Sequence, residues 1–234
     1  MKVESTKAEI KNVSPNIANA MLADAVFKPI LFSTEMVKAL LNGRKTITRR
    51  LIKGIENATR YAGHWQPEMD GIEVYDFDTS FCKPQISVKS KYQLGNILWV
   101  RETWQQHCIE TETDENTWAA KGFEATGQYV YRADNYELPK DSVVFGKWKP
   151  SLFMPRSACR LFLEVTNMKV ERLHDISAED IKAEGIRHTI DYYPILLEEW
   201  ERLWVKINGQ KSWDENPFVW AYSFKIVECP NGFR

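Results

Sequence analysis

The chain has 234 residues, about one and a half domains at roughly 150 residues each, so one domain carrying insertions or an arm is the expected organisation. Hydrophobic residues at 44% and charged residues at 27% supply a core and exclude disordered and fibrous architectures. Lysine plus arginine (31) and aspartate plus glutamate (32) nearly cancel to a formal charge of −1, so no global field draws the chain to nucleic acid or to an anionic membrane, and any charge argument is local.

Lys2, Glu4, Lys7 and Glu9 occupy the stretch where a signal peptide has its apolar region, and no uncharged run reaches the roughly 18 residues that span a bilayer. A soluble protein of the cytoplasm, with no membrane partner, is expected. Cys82, Cys108, Cys159 and Cys229 form no CxxC pair and have no histidine cluster of zinc-site spacing, so they read as reduced thiols and no metal or other cofactor is expected. Ser14-Pro15 starts a helix whose apolar positions run through Ile17, Ala18, Met21, Leu22 and Ala25, an N-terminal extension over residues 1–27.

After Pro29, Ile30-Leu31-Phe32 reads as a buried strand, and Thr34 caps a helix with the apolar face Met36, Val37, Leu40 and Leu41, closed at Gly43. The basic, β-branched run Arg44-Lys45-Thr46-Ile47-Thr48-Arg49-Arg50 follows. Periodicity is lost from about 51 to 92, where Glu68, Asp70, Glu73, Asp76 and Asp78 cluster, and again from about 105 to 147, apart from a strand at 128–131; both stretches read as insertions in a main domain over 28–234. Between them, Ile97-Leu98-Trp99-Val100 is a core strand after the turn Gly95-Asn96. The last third predicts a strand over 161–170, a helix from Ser177 to Gly185, a longer helix opened by Pro194 with Trp200, Leu203, Trp204 and Ile207 on one face, and an aromatic strand over 218–224.

Between Met36 and Lys53 stand Lys38, Arg44, Lys45, Arg49, Arg50 and Lys53 without an acidic residue, and residues 142–163 hold Lys147, Lys149, Arg156 and Arg160 among Trp148, Phe153 and Met154 after Asp141. Cations beside flat rings fit a single-stranded nucleic-acid surface. A solvated basic face over core aromatics is the competing reading, and for Lys45 and Thr48 the residues taken alone favour a basic edge strand that resists edge-to-edge pairing. Trp99, Trp104, Trp200, Trp204 and Trp220 lie on periodic segments and read as core; Trp65 and Trp148 lie in irregular ones and are the candidates for base stacking.

The run Gly43-Arg44-Lys45-Thr46-Ile47-Thr48-Arg49-Arg50 directly after an amphipathic helix resembles the signature of the ASCH family, and Gly95 to Glu102, Ala183-Glu184-Gly185-Ile186 and the closing strand with Trp220 and Phe224 fit it in the same order. With Trp148-Lys149-Pro150-Ser151 and Met154-Pro155-Arg156, the chain is most similar to the longer ASCH proteins of bacteriophages and prophages. The resemblance implies an α+β domain with a PUA-like β-barrel flanked by helices, and recognition of RNA, single-stranded nucleic acid or a modified nucleoside in a basic cleft around Arg44, Arg49, Arg50, Arg101, Trp148 and Arg156. It also implies the alternative of a hydrolase. The family includes an amidohydrolase of 4-acetylcytidine, and Lys45, Thr48 and Glu184 match its base, nucleophile and proton shuttle; other relatives are linked to ribonuclease activity. A third reading, an inhibitor of a host protein, would use the acidic insertions.

Two features of the motif set tests for the structure. Arg49 stands where the amidohydrolase has an apolar residue, adding a cation near Lys45. In an ideal strand Lys45 and Thr48 would face opposite ways, so their cooperation requires a bend close to Gly43.

Overall fold

A computed structural model describes residues 26–53, 61–66, 71–76, 86–113, 120–134, 147–187 and 189–233. The expected N-terminal helix lies outside the described residues. Strands β1 (Phe27–Leu31), β2 (Ile47–Leu51), β3 (Tyr61–Gln66), β4 (Gly71–Asp76), β5 (Ile86–Lys89), β6 (Ile97–Arg101), β7 (Trp104–Thr113), β8 (Ala120–Tyr131), β9 (Phe162–Arg172) and β10 (Phe218–Val227) accompany helices α1 (Thr34–Leu41), α2 (Ala178–Ala183), α3 (Tyr193–Asn208) and α4 (Gln210–Asp214). The class is α+β.

The main sheet has the order β1-β6-β9-β10-β2. β1 runs parallel to β6 and the other neighbours are antiparallel. Backbone pairing among the described residues therefore leaves an open sheet with β1 and β2 at its edges, where a closed barrel was expected. One side chain spans that gap, where Arg50 Nη2 of β2 donates to the Leu31 carbonyl of β1 at 2.9 Å, and Tyr92, between β5 and β6, donates its hydroxyl to the Pro29 carbonyl of β1 at 2.9 Å. Ile30, Phe32, Val37, Leu40, Leu98, Val100, Leu163, Val165, Tyr222 and Phe224 form the core between α1 and the sheet. A second core of Leu173, Ile181, Leu196, Trp200, Trp204 and Val219 seats α2 and α3.

Local chemistry places α1. Ser33, one residue before the Thr34 expected from the sequence, is the N-cap and accepts from the Met36 N–H at 3.3 Å, a contact worth about 1 kcal/mol. Gly43 follows the helix with φ of +68°, the left-handed turn that glycine adopts without a Cβ penalty.

The two aperiodic stretches hold more strand than their composition indicates. β3, β4 and β5 form an antiparallel three-stranded sheet of their own, and β7 and β8 a long two-stranded ribbon with register shifts. Arg160 anchors the base of that ribbon, with both Glu102 oxygens at 2.9 and 3.1 Å and both Asp134 oxygens at 2.8 Å. No described helix is long and apolar enough to cross a membrane.

Candidate functional site

Lys45 and Thr48 do not share one regular strand. Lys45 precedes β2 and forms an isolated antiparallel bridge with Glu184, while Thr48 lies within β2 opposite Tyr222. The backbone N–H groups of Arg44 and Lys45 both donate to the Ala39 carbonyl, and that of Thr46 to the Ala183 carbonyl, so residues 44–46 are stapled between the end of α1 and the end of α2. Arg44 Nη1 adds a bond to the Gly185 carbonyl at 2.9 Å.

Gly185 permits this closeness twice over. Its φ is +93°, and a Cβ there would stand 2.7 Å from the Ala39 Cβ and 3.2 Å from the Lys45 Cβ. Gly185→Ala is expected to combine backbone strain of order 1–3 kcal/mol with displacement of the α1 end from Glu184. Chemical denaturation reads the first effect; a variant as stable as the native chain would remove the packing argument.

Lys45 is buried at 2% exposure and Glu184 at 3%. Lys45 Nζ donates to Glu184 Oε2 at 2.7 Å, to the Glu184 carbonyl at 2.9 Å and to the Ile47 carbonyl at 2.9 Å, so three acceptors match the three donors of an ammonium. Burial, the largest influence, lowers the Lys45 pKa below 10.5; Glu184 opposes it by charge and hydrogen bond, and the positive charges of Arg50 and Arg49 reinforce it.

Arg49 is also buried, at 4% exposure. Its guanidinium contacts Glu171 Oε1 and Asp180 Oδ2 at 2.6 Å and Glu184 Oε1 at 3.3 Å. Lys169 closes the network on Glu171 at 2.9 Å and Asp180 at 2.8 Å. Three cations and three carboxylates thus neutralise one another where β2, β9 and α2 meet. The charge that Arg49 adds to the motif is spent on Glu171 and Asp180, which sequence reasoning missed, and a ligand-binding role for Arg49 gives way to an internal one.

Burial alone raises the Asp180 carboxyl, but the hydrogen bonds and charges of Lys169 and Arg49 outweigh it and hold the pKa below 3.8. A depressed acid contributes stability above its unfolded pKa of about 4 that is lost as the pH falls toward the folded value. Asp180→Asn is expected to flatten the acid limb of melting temperature against pH relative to the native chain. Glu102 acts with the opposite sign, since burial raises its pKa against the pull of Arg160; it is common to both chains. An unchanged acid limb in the variant would count against the network.

Glu184 is among the residues that line a cleft of about 430 Å³, within the range of small-molecule sites. Ser33, Glu35, Met36 and Ala39 line it from the α1 side, Glu184 to Arg187 from the turn, and Glu199, Arg202, Leu203 and Lys206 from α3. A second cavity of about 40 Å³ shares Met36, Glu184 and Leu203 with that lining and adds Thr48, Arg49, Arg50 and Trp200. Thr48 and Glu184 therefore face one small cavity next to the cleft, and Lys45 reaches it through Glu184.

The remaining candidates lie elsewhere. Arg101 contacts the Leu152 carbonyl and sits 5.3 Å from the Trp99 ring. Arg156 is exposed and stacks 4.2 Å from the Phe233 ring; Trp148 is half-buried. None of these three lines the cleft. The motif is not an open basic surface either, because Lys45 and Arg49 are internal and the cleft lining mixes Glu35, Glu184 and Glu199 with Arg187, Arg202 and Lys206. Among the described residues, no three His, Cys, Asp or Glu side chains gather to hold a metal ion.

No protein-family model matches the chain, and no curated protein matches it. Among solved structures, one described as the crystal structure of protein EF3133 from Enterococcus faecalis V583, family-model DUF984, aligns with a TM-score of 0.39 and 11% identity. The alignment covers 92% of this chain and 86% of that one. Similarity of that strength assigns neither fold nor activity.

Proposed function

We propose that this chain is an ASCH-type, PUA-like domain that takes a modified nucleoside into the α1–α3 cleft and hydrolyses an acyl amide on it. The observation that carries this reading is the buried Lys45–Glu184 pair at 2.7 Å, with Glu184 and Thr48 both lining one small cavity. An enclosed acid–hydroxyl pair beside a nucleoside-sized cleft serves bond cleavage; an open basic surface suffices for binding alone. The gap between β1 and β2 bridged by Arg50 fits a PUA-like barrel left incompletely paired.

In this mechanism the Thr48 hydroxyl oxygen attacks the carbonyl carbon and its proton passes to Glu184. The C–N bond then breaks and the amine leaves with that proton. Water cleaves the resulting threonyl ester, releasing the carboxylic acid and restoring Thr48. Lys45, with its donors engaged, is a positioning residue: it orients Glu184 and balances its charge. A lysine base, implied by the family resemblance, has no free donor or lone pair in this arrangement.

The test is mass-spectrometric detection of cytidine after incubation with 4-acetylcytidine and related acylated nucleosides. Product from the native chain and a loss of at least about a hundredfold in Thr48→Ala and Glu184→Gln are expected. No product from any of these substrates overturns the reading.

A second reading, recognition of RNA or single-stranded nucleic acid, is favoured by a separate observation. Lys28, Arg50 and Lys91 gather beside β1: Lys28 Nζ donates to the Lys91 carbonyl at 2.7 Å, and the charges of Arg50 and Lys28, after burial, lower the Lys91 pKa. Among the described residues no carboxylate pairs with any of the three. Phosphates would neutralise them, and each contact contributes about 0.7 to the salt slope for a single strand. Lys28→Ala/Lys91→Ala is expected to reduce that slope for a short RNA by one to two contacts; an unchanged slope removes this reading.

A further inference from the structure

We infer that the Trp200 indole N–H is the hydrogen-bond donor to the ligand's carbonyl oxygen in the small cavity beside Glu184 and Thr48. This deepens the acyl-amide reading and rests on the cleft being its site. Trp200 is buried at 3% exposure, and its Nε1 has no hydrogen-bond partner. Its neighbour on α3 shows the usual outcome, since Trp204 Nε1 donates to Ser212 Oγ at 3.1 Å. A buried N–H left without an acceptor costs about 1–3 kcal/mol, and because Trp200 is one of the residues that line the cavity, its unsatisfied N–H marks a place for an acceptor that enters beside it. Arg101 Nε, Trp104 Nε1 and His174 Nε2 are also unpartnered, but of these four residues Trp200 alone lines the cavity.

The chemistry of the wall selects the acceptor. The cavity of about 40 Å³ has room for a water or a group as compact as a carbonyl, since about 10–15 Å³ admits one water. Glu184 and Thr48 share the wall, and the Arg49 guanidinium, 6.0 Å from the Trp200 ring, is engaged by Glu171 and Asp180. An anionic group would meet the Glu184 carboxylate, while Arg50, the cation of the wall that no carboxylate pairs among the described residues, is turned to the Leu31 carbonyl at the β1 edge. A neutral carbonyl oxygen takes the indole N–H without that penalty, and its carbon then lies within reach of the wall that carries Thr48. As negative charge develops on that oxygen during attack, the indole bond strengthens, which is the geometry of oxyanion stabilisation.

The experiment is a titration of the full chain, labelled with ¹⁵N, using acetamide as a neutral carbonyl probe and acetate as its anionic counterpart of similar size. Trp200→Phe assigns the Trp200 indole signal. The expected result is a saturable shift of that signal with acetamide, binding of acetate at least fivefold weaker, and a three- to tenfold loss of acetamide affinity in Trp200→Phe, as one hydrogen bond predicts. A signal that acetamide leaves unmoved, equal response to both probes, or a persistent contact to water alone overturns the inference. The native-chain titration decides even if the variant folds poorly. Acetamide on Trp200 without turnover of 4-acetylcytidine removes the hydrolase and keeps this site; turnover with an unmoved Trp200 does the reverse.

Discussion

Lys45→Ala is expected to lower stability by about 3–5 kcal/mol, because it leaves the Glu184 carboxylate with only the longer Arg49 contact at 3.3 Å, in a site too buried for water to replace the lost ammonium. The Lys45 and Glu184 side chains are 0% and 2% exposed, so neither end of the pair escapes to solvent. Replacing both groups by apolar ones, as in Lys45→Met/Glu184→Leu, is expected to recover most of that loss, since removing both charges also removes the cost of burying them. The double change takes one cation and one carboxylate from a balanced network, leaving Arg49 on Glu171 and Asp180 and Lys169 on the same two acids. Turnover should not return with stability: the single and double variants both lose it, since both disturb the proton acceptor. Denaturant titrations of the native chain and the variants, with cytidine release measured on each, separate the two effects. A double variant as unstable as the single one would show that shape, not charge, sets the cost.

The elements around the site were legible because their signals are short-range. Ile97 to Val100, Ser177 to Gly185 and the helix after Pro194 declare themselves by periodicity, capping residues and glycine, and they appear as β6, α2 and α3. The β3–β5 sheet and the β7–β8 ribbon did not, because the sequence through both stretches carries no sustained apolar alternation and the pairing is set by partners across turns. Register shifts at Gln106/Cys108 and Glu110/Glu112 blur what alternation the ribbon has.

At the site, the meeting of Lys45 with Glu184 was implied by family resemblance, since 139 residues separate them. The partners of Arg49 lie 122 and 131 residues away, and nothing local marks Glu171 or Asp180 as its counter-ions. Trp200 illustrates a different blind spot. Its helical spacing correctly places it in the core, but periodicity reports burial and is silent about whether an indole N–H finds an acceptor.

Arg49→Met is the sharpest division between an internal and a ligand-binding basic motif. The structure buries the Arg49 guanidinium completely, at 0% side-chain exposure, against carboxylates that are 12% and 19% exposed. Its removal leaves Glu171 and Asp180 sharing Lys169, which is 46% exposed and already bonded to both. The expected cost is about 3 kcal/mol, below the cost of stranding a fully enclosed charge because solvent reaches both acids in part. RNA affinity and its salt slope should be unaltered under conditions where the variant remains folded, because no phosphate reaches Arg49. Arg50→Met should behave in the opposite sense: Arg50 lines the cavity, reaches the β1 edge at Leu31 and lies in the electrostatic reach of Lys91. Its loss is expected to lower the salt slope by about 0.7 with a smaller change in melting temperature. If Arg49→Met lowers the slope while the fold holds, the guanidinium must be available to an outside anion, and the six-membered charge network does not describe the protein in solution.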